Sequence, residues 1–224
     1  QVWKEYQMDA VEKGEKLGWM VFKVNKRNGE PLENTSYVVV NDYKSKEQFE
    51  NQGKNWSWDN FNSIVRSRLK GKMSSSTIRR VLAKNVKKET YSMQGFVRAG
   101  TPWVGGDIKK GDVFSWGSAK ALNEDYIKFE KEVWKPIAMR SVMSSNQYGW
   151  YITEITQKNE LLKKNQTVDF THMYFNYYKG EPAPVNESEM MNQMDFKTQK
   201  LMELLNKSCE RGPGFTASLV MTTW

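Results

Sequence analysis

One histidine, one cysteine and two stretches of alternating hydroxyl and amide side chains are the residues of this 224-residue chain whose types could carry chemistry. His172 is the only imidazole, so a general base, or an axial ligand to haem, has to be built on it. A lone histidine is more often a satisfied structural residue, so it is a weak catalytic candidate. Cys209 has no second thiol to pair with and reads as a small apolar residue on a helix. The two polar stretches are "YVVVNDYK" (Tyr37 to Lys44) and "HMYFNYYK" (His172 to Lys179). With the period of two of a β-strand, Tyr37, Val39, Asn41 and Tyr43 share one face, and His172, Tyr174, Asn176 and Tyr178 share the equivalent one. Such a face suits either satisfied contacts between sheets or a small-molecule pocket. In the second case Tyr37, Asn41, Tyr43, His172, Tyr174, Asn176 and Tyr178 are the ligand-binding residues.

Other reactive patterns fail on composition or spacing. A metal centre of the His/Cys kind lacks ligands, and no cofactor is implied by any motif. "GKMS" at Gly71 to Ser74 has the end of a phosphate loop, but Arg66 stands where its earlier glycine belongs. No Gly-x-Ser-x-Gly elbow is present. The net charge of +8 is concentrated between Lys54 and Lys88, where ten Lys or Arg face one acid, Asp59. That stretch could meet phosphates, but aromatic rings are not interleaved with its charges, so nucleic acid is the less favoured partner. No apolar run reaches the roughly 20 residues that span a bilayer.

The elements that position these residues occur twice. Trp3, Lys4, Met8, Val11, Gly18 and Trp19 recur as Trp134, Lys135, Met139, Val142, Gly149 and Trp150 at an offset of 131. "YVVVNDYK" and "HMYFNYYK" align at 135, which puts four extra residues in the second hairpin loop, with Asn28-Gly29 and Asn165 as turn residues. In the second copy, Tyr126, Phe129, Val133 and Ile137 keep helical spacing. Strands are expected at Trp150 to Thr156 and Val168 to Tyr178, and Asn186 with Glu189 marks a helix start. Gly212-Pro213-Gly214 should stop that helix ahead of a last strand, "FTASLVMTTW". With "DVFSWGSAKAL" in front, the order is β-α-β-β-α-β. The first copy adds two amphipathic helices, on Trp58, Phe61, Ile64, Val65, Leu69 and on Ile78, Val81, Leu82, Val86, before a strand at Glu89 to Arg98.

The fold class is therefore α+β, with two tandem ferredoxin-like repeats: residues 1–99, with a basic helical insertion at 54–88, and residues 112–224, joined by a linker at 100–111. By the offset of 131, Gln1 corresponds to Glu132, so the first repeat lacks its front strand. Upstream residues, a partner chain or oligomer, or a segment from elsewhere in this chain should complete that sheet.

A duplicated unit with "WKPI" at Trp134 to Ile137, Gly-Trp opening the second strand and a Tyr/Asn-rich third strand resembles the tandem form of the dimeric α/β-barrel superfamily, extracytoplasmic bacterial members especially. Glu5 departs from it where the second copy has Pro136. The resemblance implies antiparallel sheets facing each other as a barrel whose interior can hold a small molecule. It also implies an extracytoplasmic setting, and a chain that starts at Gln1 is compatible with removal of a signal segment, although a cytoplasmic setting is equally compatible. Because no reactive constellation stands out, a non-catalytic binding or assembly module is the expected function. The alternatives are a small-molecule enzyme, monooxygenase-like or haem-dependent, using the barrel interior, and nucleic-acid binding through the basic helices.

Overall fold

The computed structural model describes residues 1–28, 37–83, 90–166, 169–182 and 187–224. In chain order its elements are α1 (Val2–Glu12), β1 (Gly18–Asn28), β2 (Tyr37–Asp42), α2 (Lys46–Asn55), α3 (Trp58–Leu69), α4 (Ser75–Ala83) and β3 (Met93–Gly100). They continue as β4 (Val113–Ala121), α5 (Tyr126–Phe129), a π-helical turn (Glu130–Trp134), α6 (Lys135–Ser144), β5 (Gln147–Lys158), α7 (Glu160–Asn165), β6 (His172–Tyr178), α8 (Glu187–Asn192), α9 (Phe196–Lys207) and β7 (Cys209–Thr222). The seven strands follow the order β2-β1-β7-β4-β6-β5-β3. Packing divides the chain into two compact units. One comprises Gln1–Phe22, Val38–Glu89 and Val220–Trp224, the other Lys23–Tyr37 and Thr90–Leu219.

The second unit contains the complete ferredoxin-like repeat. Numbered within the repeat, β7-β4-β6-β5 is the order 4-1-3-2, and β4 pairs antiparallel with both β6 and β7. β4 alternates small and large side chains. Ser115, Gly117, Ala119 and Ala121 lie on one face, and Phe114 and Trp116 on the other. The small face meets the helices: Ala119, Trp150 and Ile152 from the sheet are buried with Tyr126, Val133, Ala138, Met202 and Leu205. The large face is aromatic. Trp116 stacks on Phe215 at 5.0 Å, and Phe114 meets Phe175 and Tyr177 at 5.5 and 5.3 Å. β3, the last strand of the first repeat, pairs antiparallel with β5 of the second.

In the first unit, α1 packs on α3 through Val2, Tyr6, Phe61, Val65 and Leu69, with Ile78 of α4 completing the core. Arg68 crosses back to α1, with Glu12 Oε2 at 2.8 Å and Glu5 Oε2 at 3.3 Å. Glu5, the residue that broke the likeness between the copies, is thus a buried partner for that guanidinium. The end of β7 runs beside β1, where the Thr223 amide donates to the Trp19 carbonyl at 3.0 Å. Lys16, 3% exposed, donates to Gln7 Oε1 at 2.6 Å and Asn41 Oδ1 at 2.8 Å. Burial pulls its ammonium down to about 8 against the charge of Asp42, while burial pushes the Asp42 carboxyl up to about 6 against the charge of Lys16.

The α+β ferredoxin-like architecture is the one expected, and a strand from elsewhere in the chain, β7, does flank the first repeat. Several local expectations change. Gly212-Pro213-Gly214 does not follow a helix stop: α9 ends at Lys207 and the three residues lie inside β7. They sit opposite a register shift between Gly117 and Ala119, where the proline needs no ladder donor. Cys209 is buried at the start of β7, not on a helix. Asn165 ends α7, whose N-cap is Asn159 accepting from the Leu162 amide at 3.0 Å. The insertion holds a further helix, α2. Gly29, Val86, Glu89, Val168 and the Asn186 helix start lie outside the described residues.

Two outcomes test this packing. A Cβ at Gly117 would overlap the Tyr174 ring, so Gly117→Ala should cost about 1 to 3 kcal/mol in urea unfolding, and Gly117→Ala with Tyr174→Leu should cost less. For Lys16, whose ordinary value is 10.5, the folded state holds fewer protons than the unfolded one above pH 8, so stability should rise from about 8 to 10.5. For Asp42, ordinarily 3.8, the folded state holds more, so stability should fall as pH rises from 3.8 to about 6. The double variant Lys16→Met, Asp42→Asn should flatten both slopes in urea titrations run across that range.

Candidate functional site

The register of β6 decides where the polar residues go. His172 lies between Ala119 and Glu154, Tyr174 between Gly117 and Ile152, and Asn176 between Ser115 and Trp150. Ala119, Ile152 and Trp150 belong to the helix-covered core, so His172, Tyr174 and Asn176 look toward the helices. This corrects the expectation that they face a space between sheets: alternation tells which residues share a face, not which layer covers it. The opposite face carries Met173, Phe175 and Tyr177. It continues through Trp103, stacked on Tyr148 at 5.1 Å, and Tyr148 donates to the buried Asp112 at 3.0 Å.

Beneath the helices the structure gathers Tyr126, Glu130, His172, Tyr174, Cys209 and Arg211. Tyr126 and Glu130 are four residues apart on α5 and the π-helical turn, exposed to 0% and 2%. The wider turn carries Glu130 inward, a register that 3.6-residue spacing does not predict. The Tyr126 and His172 rings meet edge to face at 5.1 Å. Tyr174 fills the space left by Gly117, and the Arg211 guanidinium carbon lies 5.5 Å from its ring.

Burial holds every titratable member toward its neutral form. It pushes the Tyr126 phenol far above its ordinary range, with the charge of Glu130 adding to the effect. It raises the Glu130 carboxyl, opposed by Arg211, and it raises the Cys209 thiol. It lowers the His172 imidazole, partly offset by Glu154. His172 Nδ1 is 2.8 Å from Thr171 Oγ1. His172 Nε2 and Tyr126 Oη are buried and have no hydrogen-bond partner among the described residues. Native interiors rarely leave such atoms unpaired, because each costs about 1 to 3 kcal/mol.

The remaining sequence candidates are dispersed. Asn176 Oδ1 accepts from Gln147 Nε2 at 2.9 Å, and Tyr178 is partly buried. In the first unit Asn41 serves Lys16, and Tyr43 donates to Gln52 Oε1. Tyr37, 56% exposed, stands on β2. A porphyrin plane does not fit at His172, whose ring is 6% exposed and packed against Tyr126. Among the described residues no group of three His, Cys, Asp or Glu could hold a metal ion, and no helix is long and apolar enough to cross a membrane. Of the basic helices, Arg68 is spent within the fold, and Arg66, Lys70, Lys72, Arg79 and Arg80 are exposed.

No protein-family profile matches the sequence, and no curated protein matches it. Two solved structures do. One, described as an anthrone oxidase-like protein, is 12% identical and has a TM-score of 0.45, with 97% of this chain and 84% of that one covered. The other, described as a proposed monooxygenase from Lactobacillus acidophilus NCFM, is 12% identical with a TM-score of 0.46, covering 99% and 86%. The likeness is distant. Both descriptions run against the expected non-catalytic binding or assembly module, and that expectation is corrected. It rested on finding no reactive constellation, and the Tyr126, Glu130 and His172 cluster is one. Sequence reading missed Glu130 and Tyr126 because they lie more than 40 residues from His172 in sequence. A buried acid in a helix was the available signal.

Because its hydroxyl has no partner, Tyr126→Phe should leave stability unchanged or raise it by about 1 kcal/mol in urea unfolding. The His172 imidazole signal in an NMR pH titration should have its midpoint below the ordinary 6.5. Stability carried by the neutral ring is present above 6.5 and lost as pH falls through that lowered midpoint.

Proposed function

We propose that this chain is an enzyme acting on a small molecule by proton transfer at the His172, Tyr126 and Glu130 cluster. One observation carries the reading: Nε2 of His172 and Oη of Tyr126 are buried, adjacent and unpartnered. With Nδ1–H donating to Thr171, a neutral imidazole presents Nε2 as an acceptor, which is a general base. Tyr126 and Glu130, both held protonated, are the acids. A molecule with a C–H next to a carbonyl suits that pair: His172 takes the carbon-bound proton while Tyr126 donates a hydrogen bond to the oxygen that becomes an enolate. The half-exposed Arg98–Glu154 pair, closed at 3.0 Å, stands beside His172 on the solvent side and is the approach.

An enolate is the electron-rich species that dioxygen can oxidise, so the same step opens a monooxygenase-like reaction. There CH2 and O2 become C=O and H2O, one oxygen atom entering the substrate and the other leaving as water. Anthrone and acetylacetone are suitable probes, with loss of the C–H proton to deuterated solvent followed by NMR and dioxygen uptake by electrode. Exchange should be catalysed by the wild type, slowed about a hundredfold or more by His172→Gln, and slowed less by Tyr126→Phe. Equal exchange rates in folded wild-type and His172→Gln protein would sink the proposal. Exchange without oxygen uptake would keep the proton transfer and remove the oxidation.

A further inference from the structure

We propose that the cleft at the start of α2, within the first unit, binds a small polyhydroxylated molecule such as a monosaccharide. The stripe of a helix that normally carries apolar contacts, at i, i+3, i+4 and i+7, is here Gln48, Asn51, Gln52 and Asn55. Four amides on one stripe make no oily core. Three of them, Asn51, Gln52 and Asn55, line a cleft of about 290 Å³ with Glu15, Ser45 and Glu47. Gln48, the fourth, is spent on structure: its Oε1 accepts from the Lys44 amide at 2.6 Å, and its Nε2 donates to the Gly14 carbonyl at 2.7 Å.

Gln52 supplies the second, independent observation. It is 9% exposed, its Oε1 accepts from the Tyr43 hydroxyl, and its Nε2 is buried with no partner among the described residues. Burial pushes the Tyr43 phenol up to about 12, which keeps it the donor in that bond. A cleft with an idle donor at its base therefore has two carboxylates, Glu15 and Glu47, on its walls. A cation would satisfy the carboxylates and face the amide N–H with the wrong sign. An anion would do the reverse. Neighbouring hydroxyls satisfy both, since each can accept from Gln52 and donate to a carboxylate. The cleft volume sits at the lower end of small-ligand sites and matches a single sugar ring better than a chain.

This site does not depend on the acid-base reading of the second unit. The test titrates the full chain with D-glucose, D-galactose and myo-inositol, and with spermidine and citrate as cationic and anionic probes, by calorimetry and ligand-observed NMR. At least one of the three polyols should bind with Kd on the order of 1 mM or tighter. Gln52→Leu and the exposed Glu47→Ala should each weaken it by about tenfold or more. Asn51→Ala, also exposed, replaces Gln52→Leu if the latter fails to fold. Binding of none of the polyols, binding unchanged in the variants, or binding of spermidine or citrate alone overturns the proposal.

Discussion

The second unit is organised by what β4 withholds. A central strand must satisfy its backbone on both edges, and β4 does so with β6 and β7. Its helix-facing side chains, Ser115, Gly117, Ala119 and Ala121, occupy almost no volume. That leaves a depth of space under α5, the π-helical turn and α9 into which Tyr126, His172 and Tyr174 project. A larger residue at Gly117 or Ala119 would fill the space with hydrocarbon. The aromatic payload of this strand, Phe114 and Trp116, is on the other side, where rings meet rings at 5.0 to 5.5 Å. One strand thus supplies a dense apolar layer on one side and a roomy polar one on the other.

Desolvation then sets the chemistry of the roomy layer. An acid, a phenol, a thiol and an imidazole placed in water would span several protonation states at neutral pH. Packed together, all are driven toward the uncharged form. Charge returns at the rim, where Arg211 stands over Tyr174 and Arg98 pairs with Glu154. The first unit handles its buried charge differently. Lys16 and Asp42 share a dry region with amide partners, and Arg68 gathers carboxylates from one face of α1.

The duplication was legible because it leaves identities at fixed offsets. The offset that pairs Trp19 with Trp150 also places α1 on the end of the π-helical turn and on α6, and β1 on β5. The matching of β2 with β6 follows from the tyrosine and asparagine pattern. The destination of the polar strand face was not legible, since His172, Tyr174 and Asn176 alternate identically whichever layer covers them. Gly212-Pro213-Gly214 misled because a proline between glycines usually signals a break, whereas a bulge in β7 absorbs it. Glu130 was invisible because a five-residue turn shifts the inward side of the helix by about 100° per extra residue.

That turn also makes the cluster unusually cheap to gain or lose in evolution. A π-helical turn holds one residue more than the α-helical turn it interrupts. Deleting a single codon between Tyr126 and Trp134 would let the helix close as a regular one, and the hydrophobic seam of α6 could remain seated on β5. The carboxyl of Glu130 would then leave the interior. Whether a descendant of this chain keeps its acid thus depends on the length of one helix, a character that point substitutions do not change.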